Sequence, residues 1–253
     1  MAADTIAVLS LKGGTGKTTT VRTLADVLRR VGLDVLAVDL DPQGNLSDYF
    51  DVPSDASPSV ADVLSGDAKV KEAVYDGGIV PATLNLAEVE RSLSGKMGRE
   101  VVLKKALRDV RRQHDVILID CPPALGLLTI NGLVASDYAL ISSEAQYFAL
   151  QGVNGAVELI EQVREYYNDD LELVGVLLNI ADMRTTHSRD AYTQLQEVFG
   201  EKVFASVIRS SIAYAESAEK ALSILEYRPD LGADYLALAD EVLSRIGRPQ
   251  PLH

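Results

Sequence analysis

The stretch "SLKGGTGKTTT", residues 10–20, decides the fold. It follows the apolar run "TIAVLS" (5–10) and opens a helical pattern at 17–31. Glycines in such a loop let the backbone approach an anion closely, and the positive N-terminal end of the next helix adds to the attraction. The context of strand, loop and helix therefore predicts a site for nucleotide phosphates, with a flexible glycine turn as the alternative. In this site Lys17 reaches the β- and γ-phosphates and the Thr18 hydroxyl ligates Mg²⁺.

The rest of the chain alternates short apolar runs with helical patterns. The predicted strands are 5–10, 34–40, 115–121, 137–143 and 171–179, and the predicted helices are 17–31, 100–113, 125–135, 148–167 and 186–199. Runs that are apolar almost throughout are typical of parallel strands buried on both faces. We expect an α/β fold, a single P-loop NTPase domain over residues 1–253, with a mostly parallel central sheet flanked by helices.

The segments outside this alternation are predicted to be peripheral. Turn formers at 54–59 and 75–83 predict surface loops. A helical C-terminus, about 212–246, is expected to pack back on the sheet. Residues 247–253 are expected to form a frayed tail.

Composition limits the classes of function. The chain has 253 residues, a net charge of −13 and one cysteine, Cys121. The acidic balance argues against binding nucleic acid by bulk attraction, although a local basic patch remains open. No N-terminal signal segment or membrane span is visible, which predicts a cytoplasmic location. One cysteine excludes a disulfide framework within the chain, and we expect Cys121 to be a small buried side chain.

Three carboxylates lie where ligands bind in open α/β sheets. Asp120 ends the run "VILID" and is expected to hold Mg²⁺ through a water, unless it only caps the next turn. Asp39 and Asp41 end the run "VDLD", and the alternation of side chains along a strand puts both on one side. Crowded carboxylates are costly unless a cation or a reacting water uses them, so a plain acidic turn is the weaker reading.

The loop departs from the general pattern G-x-x-x-x-G-K-[ST], because Leu11 occupies the first glycine position. In its place the sequence reads "KGGTGKTT", with Lys12 beside that position. This loop resembles the deviant form found in the ParA/MinD family of ATPases. The segments "DLDPQGN" (39–45), "ILIDCPPALGLLTINGLVASDYALI" (117–141) and "EAQYFALQGV" (144–153) resemble the ParA branch, so that the similarity covers about residues 5–245.

The resemblance implies roles for individual residues. Lys12 would reach across a dimer interface to the partner's phosphates, Asp41 would orient the attacking water, and Asp39 would lie near the Mg²⁺ shell. Asn179 would lie beside the adenine ring, although a buried strand-end amide is a close alternative. Arg209 and Ser211 would belong to the adenine-side loop. The implied set for ATP is Lys12, Gly13, Gly14, Thr15, Gly16, Lys17, Thr18, Thr19, Asn179, Arg209 and Ser211, with Lys12, Lys17 and Asp41 catalytic and with Thr18, Asp39 and Asp120 at the metal.

The resemblance also implies a function. A ParA-type ATPase forms an ATP-dependent homodimer, binds nonspecific DNA of the nucleoid, and hydrolyses ATP when a ParB-like protein or cargo adaptor stimulates it. DNA contacts would come from Arg184, Arg189 and Arg209.

Three alternatives stay open. They are a MinD-like membrane ATPase, a ParA-like ATPase that positions a protein cargo with weak DNA binding, and a metabolic P-loop enzyme related to dethiobiotin synthetase. The C-terminal segment 233–247 is acidic on its polar face, which argues against the membrane.

Overall fold

The computed structural model describes residues 2–146 and 149–248. Within these residues the strands are β1 (Asp4–Leu9), β2 (Val35–Asp39), β3 (Ile79–Val80), β4 (Val116–Asp120), β5 (Tyr138–Glu144), β6 (Glu172–Ala181) and β7 (Val203–Arg209). The helices are α1 (Lys17–Arg30), α2 (Asn45–Tyr49), α3 (Val60–Ser65), α4 (Leu86–Leu93), α5 (Val102–Leu107), α6 (Leu127–Ala135), α7 (Ala149–Tyr166), α8 (Thr186–Phe199), α9 (Ala213–Glu219), α10 (Ile224–Tyr227) and α11 (Pro229–Arg245). Short 3₁₀ turns lie at Val70–Glu72, Arg99–Val101 and Gly200–Lys202.

The strands form one sheet in the order β3-β2-β4-β1-β5-β6-β7, and every neighbouring pair is parallel. The predicted α/β class with a parallel central sheet is therefore confirmed. The order reverses direction along the chain at β1, whose neighbours are β4 and β5. Ligands of such sheets bind beyond the carboxyl ends of the strands at this reversal. The loop after β1 lies at that place.

Two apolar layers cover the sheet. Side chains alternate along β1, so that Ile6 and Val8 pack with α1 and α11, whereas Ala7 and Leu9 pack on the opposite face with α6 and α7. Tyr235 of α11 is fully buried. The predicted return of the C-terminal helices onto the sheet is confirmed.

Several expected boundaries are wrong. The segment 75–83 is not only a surface loop, because it contains β3, whose Ile79 and Val80 are buried against β2. The predicted helix 100–113 is shorter, since α5 ends at Leu107. In the predicted tail, Arg248 forms ion pairs with Asp4 and Asp115. Residues 249–253 lie outside the described residues.

Candidate functional site

The loop between β1 and α1 is built as a cradle for an anion. Gly14 and Gly16 adopt left-handed backbone conformations, with φ of 77° and 79°, which side chains with a Cβ rarely tolerate. Gly16 is the N-cap of α1, and no side chain caps that helix. The first N–H groups of a helix lack partners within it, and here they are left available to a bound anion.

A cleft of about 600 Å³ opens over this loop, within the usual range for small-ligand pockets. Seven consecutive residues, 13–19, form one wall of the cleft. The remaining lining comes from the loops after β2 and β4, from the end of β6, and from α2 and α9. The lining residues are Gly13, Gly14, Thr15, Gly16, Lys17, Thr18, Thr19, Asp41, Gln43, Asn45, Asp48, Tyr49, Pro123, Ile180, Ala218 and Glu219. The structure thus gathers the predicted phosphate residues, apart from Lys12, on one surface.

Asp120 is the carboxylate that most needs a partner. Its side chain is fully buried, and neither oxygen has a hydrogen-bond partner among residues 2–146 and 149–248. Burial raises the pKa of Asp120 well above its usual value, and the charge of Asp39 raises it further, while Thr18 and Lys17 oppose the rise. An unpaired buried carboxylate beside the Thr18 hydroxyl fits a divalent cation.

The described residues supply no complete metal cage of their own. No group of three His, Cys, Asp or Glu side chains in residues 2–146 and 149–248 could hold an ion. Magnesium commonly takes one or two protein ligands and completes its shell with water and phosphate oxygens. The donor set at Thr18 and Asp120 therefore fits Mg²⁺ that arrives with a nucleotide.

Asp39 holds a loop and does not line the cleft. Its Oδ1 accepts from the Asp41 N–H at 3.0 Å, and its Oδ2 accepts from the N–H and hydroxyl of Ser47 at 3.0 and 2.8 Å. Burial raises the pKa of Asp39 to about 7, against these hydrogen bonds. The geometry makes Asp39 an anchor for residues 41–47. Asp39 also lies opposite Asp120 in the sheet, so its place near the metal stays a prediction.

Asp41 faces the cleft from that anchored loop. It is 8% exposed, and its Oδ1 accepts from the Gln43 N–H at 3.0 Å. Ser47, which Asp39 holds, accepts in turn from the Ala82 N–H at 2.9 Å. The loop carrying Asp41 is therefore tied to the edge of the sheet at both ends, through Asp39 of β2 and through Ala82, two residues after β3.

Lys12 lies outside the cleft. Its ammonium donates to the Glu144 carboxylate at 3.3 Å and to the Gln146 side chain, and its own side chain is 57% exposed. Lys17, by contrast, is buried and lines the cleft. The two lysines of the loop therefore point to different places.

The residues expected beside the adenine do not line the cleft. Asn179 is buried beneath the loop, and its amide bonds with Gly16, Thr20, Ser142 and Ile180. This arrangement corresponds to the alternative reading of a strand-end amide.

The segment expected on the adenine side also makes contacts outside the cleft. Arg209 pairs with Asp234 at 2.8 Å, and the Ser211 hydroxyl accepts from Ala213 N–H at 3.2 Å. The cleft is instead closed on this side by Ile180, Ala218 and Glu219, which the sequence did not single out.

The three candidate DNA-contacting arginines are already engaged. Arg184, with a 90% exposed side chain, pairs with Asp182 at 2.8 Å. Arg189 donates to the backbone carbonyls of Met183 and Arg184 at 3.2 and 2.8 Å. The charges of Arg184 and Arg209 are therefore compensated by carboxylates, whereas the hydrogen bonds of Arg189 hold its side chain without neutralising its charge.

Two further expectations concern burial and membranes. Cys121 is a free, fully buried thiol, and burial raises its pKa, so the expected small buried side chain is confirmed. In the part of the chain that the structure describes, no helix is both long and apolar enough to span a bilayer.

Comparison with known proteins gives consistent matches. A family model described as an AAA domain matches residues 3–173. The chain is 39% identical over 245 residues to the sporulation initiation inhibitor protein Soj of Bacillus subtilis, covering 94% of this chain and 97% of Soj. It is 39% identical over 246 residues to the chromosome-partitioning ATPase Soj of Thermus thermophilus, covering 95% and 96%. Among solved structures, cobyrinic acid a,c-diamide synthase of Mycobacterium smegmatis, with a bound ATP analogue and magnesium, superposes with a TM-score of 0.78 and 39% identity, covering 86% of this chain and 93% of the synthase.

Proposed function

Since this chain belongs to the ParA/MinD family of P-loop ATPases, we propose that it is a partition or positioning ATPase that works as an ATP-dependent dimer. In this proposal ATP joins two copies face to face, and the dimer binds duplex DNA without sequence preference. A ParB-like protein or another cargo adaptor then stimulates hydrolysis and release. The protein would act in the cytoplasm, on the nucleoid.

The observation that carries the proposal is the placement of the two loop lysines. Lys17 lines the cleft and would bind the phosphates of its own nucleotide. Lys12 stands outside the same cleft, and among the residues that the structure describes its ammonium contacts Glu144, in an exposed pair, and Gln146. Exposed pairs contribute little stability, so releasing Lys12 costs little. A released Lys12 would serve a phosphate group on a second copy, as an arginine finger does.

The residues of the cleft fit ATP with Mg²⁺. Backbone N–H groups of 13–19 would hold the phosphates, and Thr18 with Asp120 would hold the cation. Bound Mg²⁺ supplies positive charge that neutralises the phosphate oxygens. Asp41 would accept a hydrogen bond from the attacking water and orient it, while Asp39 keeps the Asp41 loop in place.

DNA binding is proposed for the dimer and not for the single chain. Each protomer carries a net charge of −13, Arg184 and Arg209 pair with Asp182 and Asp234, and Arg189 donates to backbone carbonyls. Phosphate contacts by such residues would be sensitive to salt. Two copies would bring twice the number of arginines to one duplex.

Two other functions have weaker support. A membrane-associated ATPase needs a basic amphipathic segment for anionic lipid, whereas the polar face of α11 carries Asp234, Asp240 and Glu241. A biosynthetic role is the second alternative, because one similar solved structure is that of a cobyrinic acid a,c-diamide synthase. We expect ATP hydrolysis by this chain to be unaffected by added cobyrinic acid.

The test uses three variants of the full chain. Lys12→Ala should keep ATP binding and lose hydrolysis, and Asp41→Ala should accumulate an ATP-bound dimer in size-exclusion chromatography with light scattering. Lys96→Ala, at another exposed lysine, is the matched control and should behave as wild type. Full hydrolysis by Lys12→Ala would refute the trans role. A gel shift on nonspecific duplex with ATP, ADP or no nucleotide, across salt concentrations, tests the DNA step. Absence of any shift with ATP would refute it.

A further inference from the structure

A buried polar cluster supports the phosphate loop from the side of the sheet. Ser142 in β5 is fully buried, and its hydroxyl donates to the carbonyl oxygen of Thr15 at 2.7 Å. Asn179 at the end of β6 donates to the Ser142 hydroxyl oxygen at 3.3 Å. Neither Ser142 nor Asn179 lines the cleft, so both act on it only through the loop.

The orientation of the Asn179 amide is fixed by its other contacts. Its Oδ1 accepts from the Ile180 N–H at 2.9 Å, and its Nδ2 also donates to Thr20 Oγ1 at 3.1 Å. If the amide were turned over, a donor would face the Ile180 N–H. The amide therefore presents an N–H to Ser142, and the serine proton is directed to the carbonyl of Thr15.

The bond from Ser142 determines where the next backbone donor points. In a planar trans peptide, the C=O of one residue and the N–H of the next point in opposite directions. Holding the Thr15 carbonyl towards the sheet therefore turns the Gly16 N–H towards the cleft. The Gly16 carbonyl already accepts the first helical bond from the Thr20 N–H at 2.9 Å, whereas the Thr15 carbonyl has no such bond within α1. Ser142 is thus the group that orients the Thr15–Gly16 peptide.

We propose that Ser142, kept in donor orientation by Asn179, is a positioning residue that aims the Gly16 N–H at the phosphates of a bound nucleotide. The inference rests on the proposed function only in assuming that nucleotide phosphates occupy the loop. It needs neither a dimer nor DNA. The polar cluster continues from Thr20 to the Tyr235 hydroxyl at 3.4 Å, which links the support to α11.

The experiment compares Ser142→Ala, Ser142→Thr and Ser143→Ala in the full chain. Ser143 is the adjacent buried serine of β5, and its side chain projects to the other face of the strand, so it is the matched control. Binding of ADP with Mg²⁺ is measured by calorimetry, and the Gly16 amide resonance is measured in the nucleotide-free protein. Thermal unfolding of the free protein monitors the fold.

Removing the Ser142 hydroxyl should weaken ADP binding about tenfold. The Thr15 carbonyl then loses its buried donor, and the Thr15–Gly16 peptide is no longer held in one direction. The Gly16 amide resonance of free Ser142→Ala should shift as well. Ser142→Thr should restore both readouts, since threonine keeps the hydroxyl, and Ser143→Ala should leave both unchanged.

Equal ADP affinity and an unshifted Gly16 resonance in Ser142→Ala would overturn the inference. An equal loss in Ser143→Ala would also overturn it, because the effect would then be general to the strand. Wild-type protein that binds no ADP would refute the proposed function, and the Gly16 resonance of the free protein would still decide the role of Ser142.

Discussion

The buried carboxylate Asp39 should make the free protein less stable as the pH rises. Burial raises the pKa of Asp39 from 3.8 to about 7 in the fold. Between pH 3.8 and about pH 7, Asp39 keeps its proton in the native chain and loses it in the unfolded chain. The stability from this group is therefore complete below about pH 4 and is lost as the pH rises through 7. At about 1.4 kcal/mol per unit of pKa shift, the loss between pH 5 and pH 8 is about 2 to 3 kcal/mol.

The assay is urea unfolding of the nucleotide-free protein at pH 5, 6, 7 and 8, for wild type and Asp39→Asn. The variant has a different absolute stability, because an amide cannot accept from both the Asp41 N–H and the two Ser47 donors. The variant keeps the contribution of Asp120, whose pKa burial also raises, so the difference between the two slopes reports the titration of Asp39 together with its effect on Asp120. Asp55→Asn, at an exposed position, should keep the wild-type slope. Parallel pH profiles for wild type and Asp39→Asn would refute the reasoning.

Three further perturbations test other parts of the molecule. Gly16→Ala should abolish ADP binding in calorimetry, because a Cβ there would lie 2.5 Å from the buried amide of Asn179 and the backbone φ is +79°. Gly13→Ala is the control and should still bind ADP, since its Cβ would meet nothing within 4 Å. Equal binding by the two variants would contradict this. Phe204→Ala should lower the free energy of unfolding in urea by about 3–5 kcal/mol, since the ring is fully buried, and a loss below about 1 kcal/mol would contradict it. Glu144→Gln should change the same quantity by less than about 1 kcal/mol, because its pair with the loop lysine is exposed, and a larger loss would show that the pair is structural.

The sequence predicted the central strands and the phosphate loop because their signals are local. Apolar runs of four residues marked β1, β2, β4 and β5, a longer run interrupted by Gly175 marked β6, and the glycine pattern marked the start of α1. The missed strands lack that signal. β3 has two residues, and β7, "VFASVIR", mixes exposed and buried positions without a continuous apolar run. Both are edge strands whose pairing depends on the strands beside them.

The sequence predicted which residues belong to the site better than it predicted the direction in which each side chain points. Asp39, Asp41 and Asp120 were expected together, and Asp39 and Asp120 are indeed opposite each other in the sheet. That the oxygens of Asp39 are used by Ser47, eight residues later, depends on how the loop folds back. Ile180 lines the cleft from a left-handed conformation, with φ of 53°, which β-branched residues rarely adopt. No pattern in a single sequence predicts such a conformation.

The ion pairs of Arg184 and Arg209 lower the free energy that the proposed contact with DNA would gain. A phosphate that approaches Arg184 or Arg209 must displace Asp182 or Asp234, so each contact exchanges one anion for another and does not capture a free cation. The free energy gained per contact is the difference between the attraction of the arginine to the phosphate and its attraction to the aspartate. Loss of a single carboxylate, as in Asp182→Asn or Asp234→Asn, would raise the positive charge of this face without adding any basic residue. In the proposed function, the affinity for DNA would therefore depend on the acidic side chains of this face as much as on its basic ones.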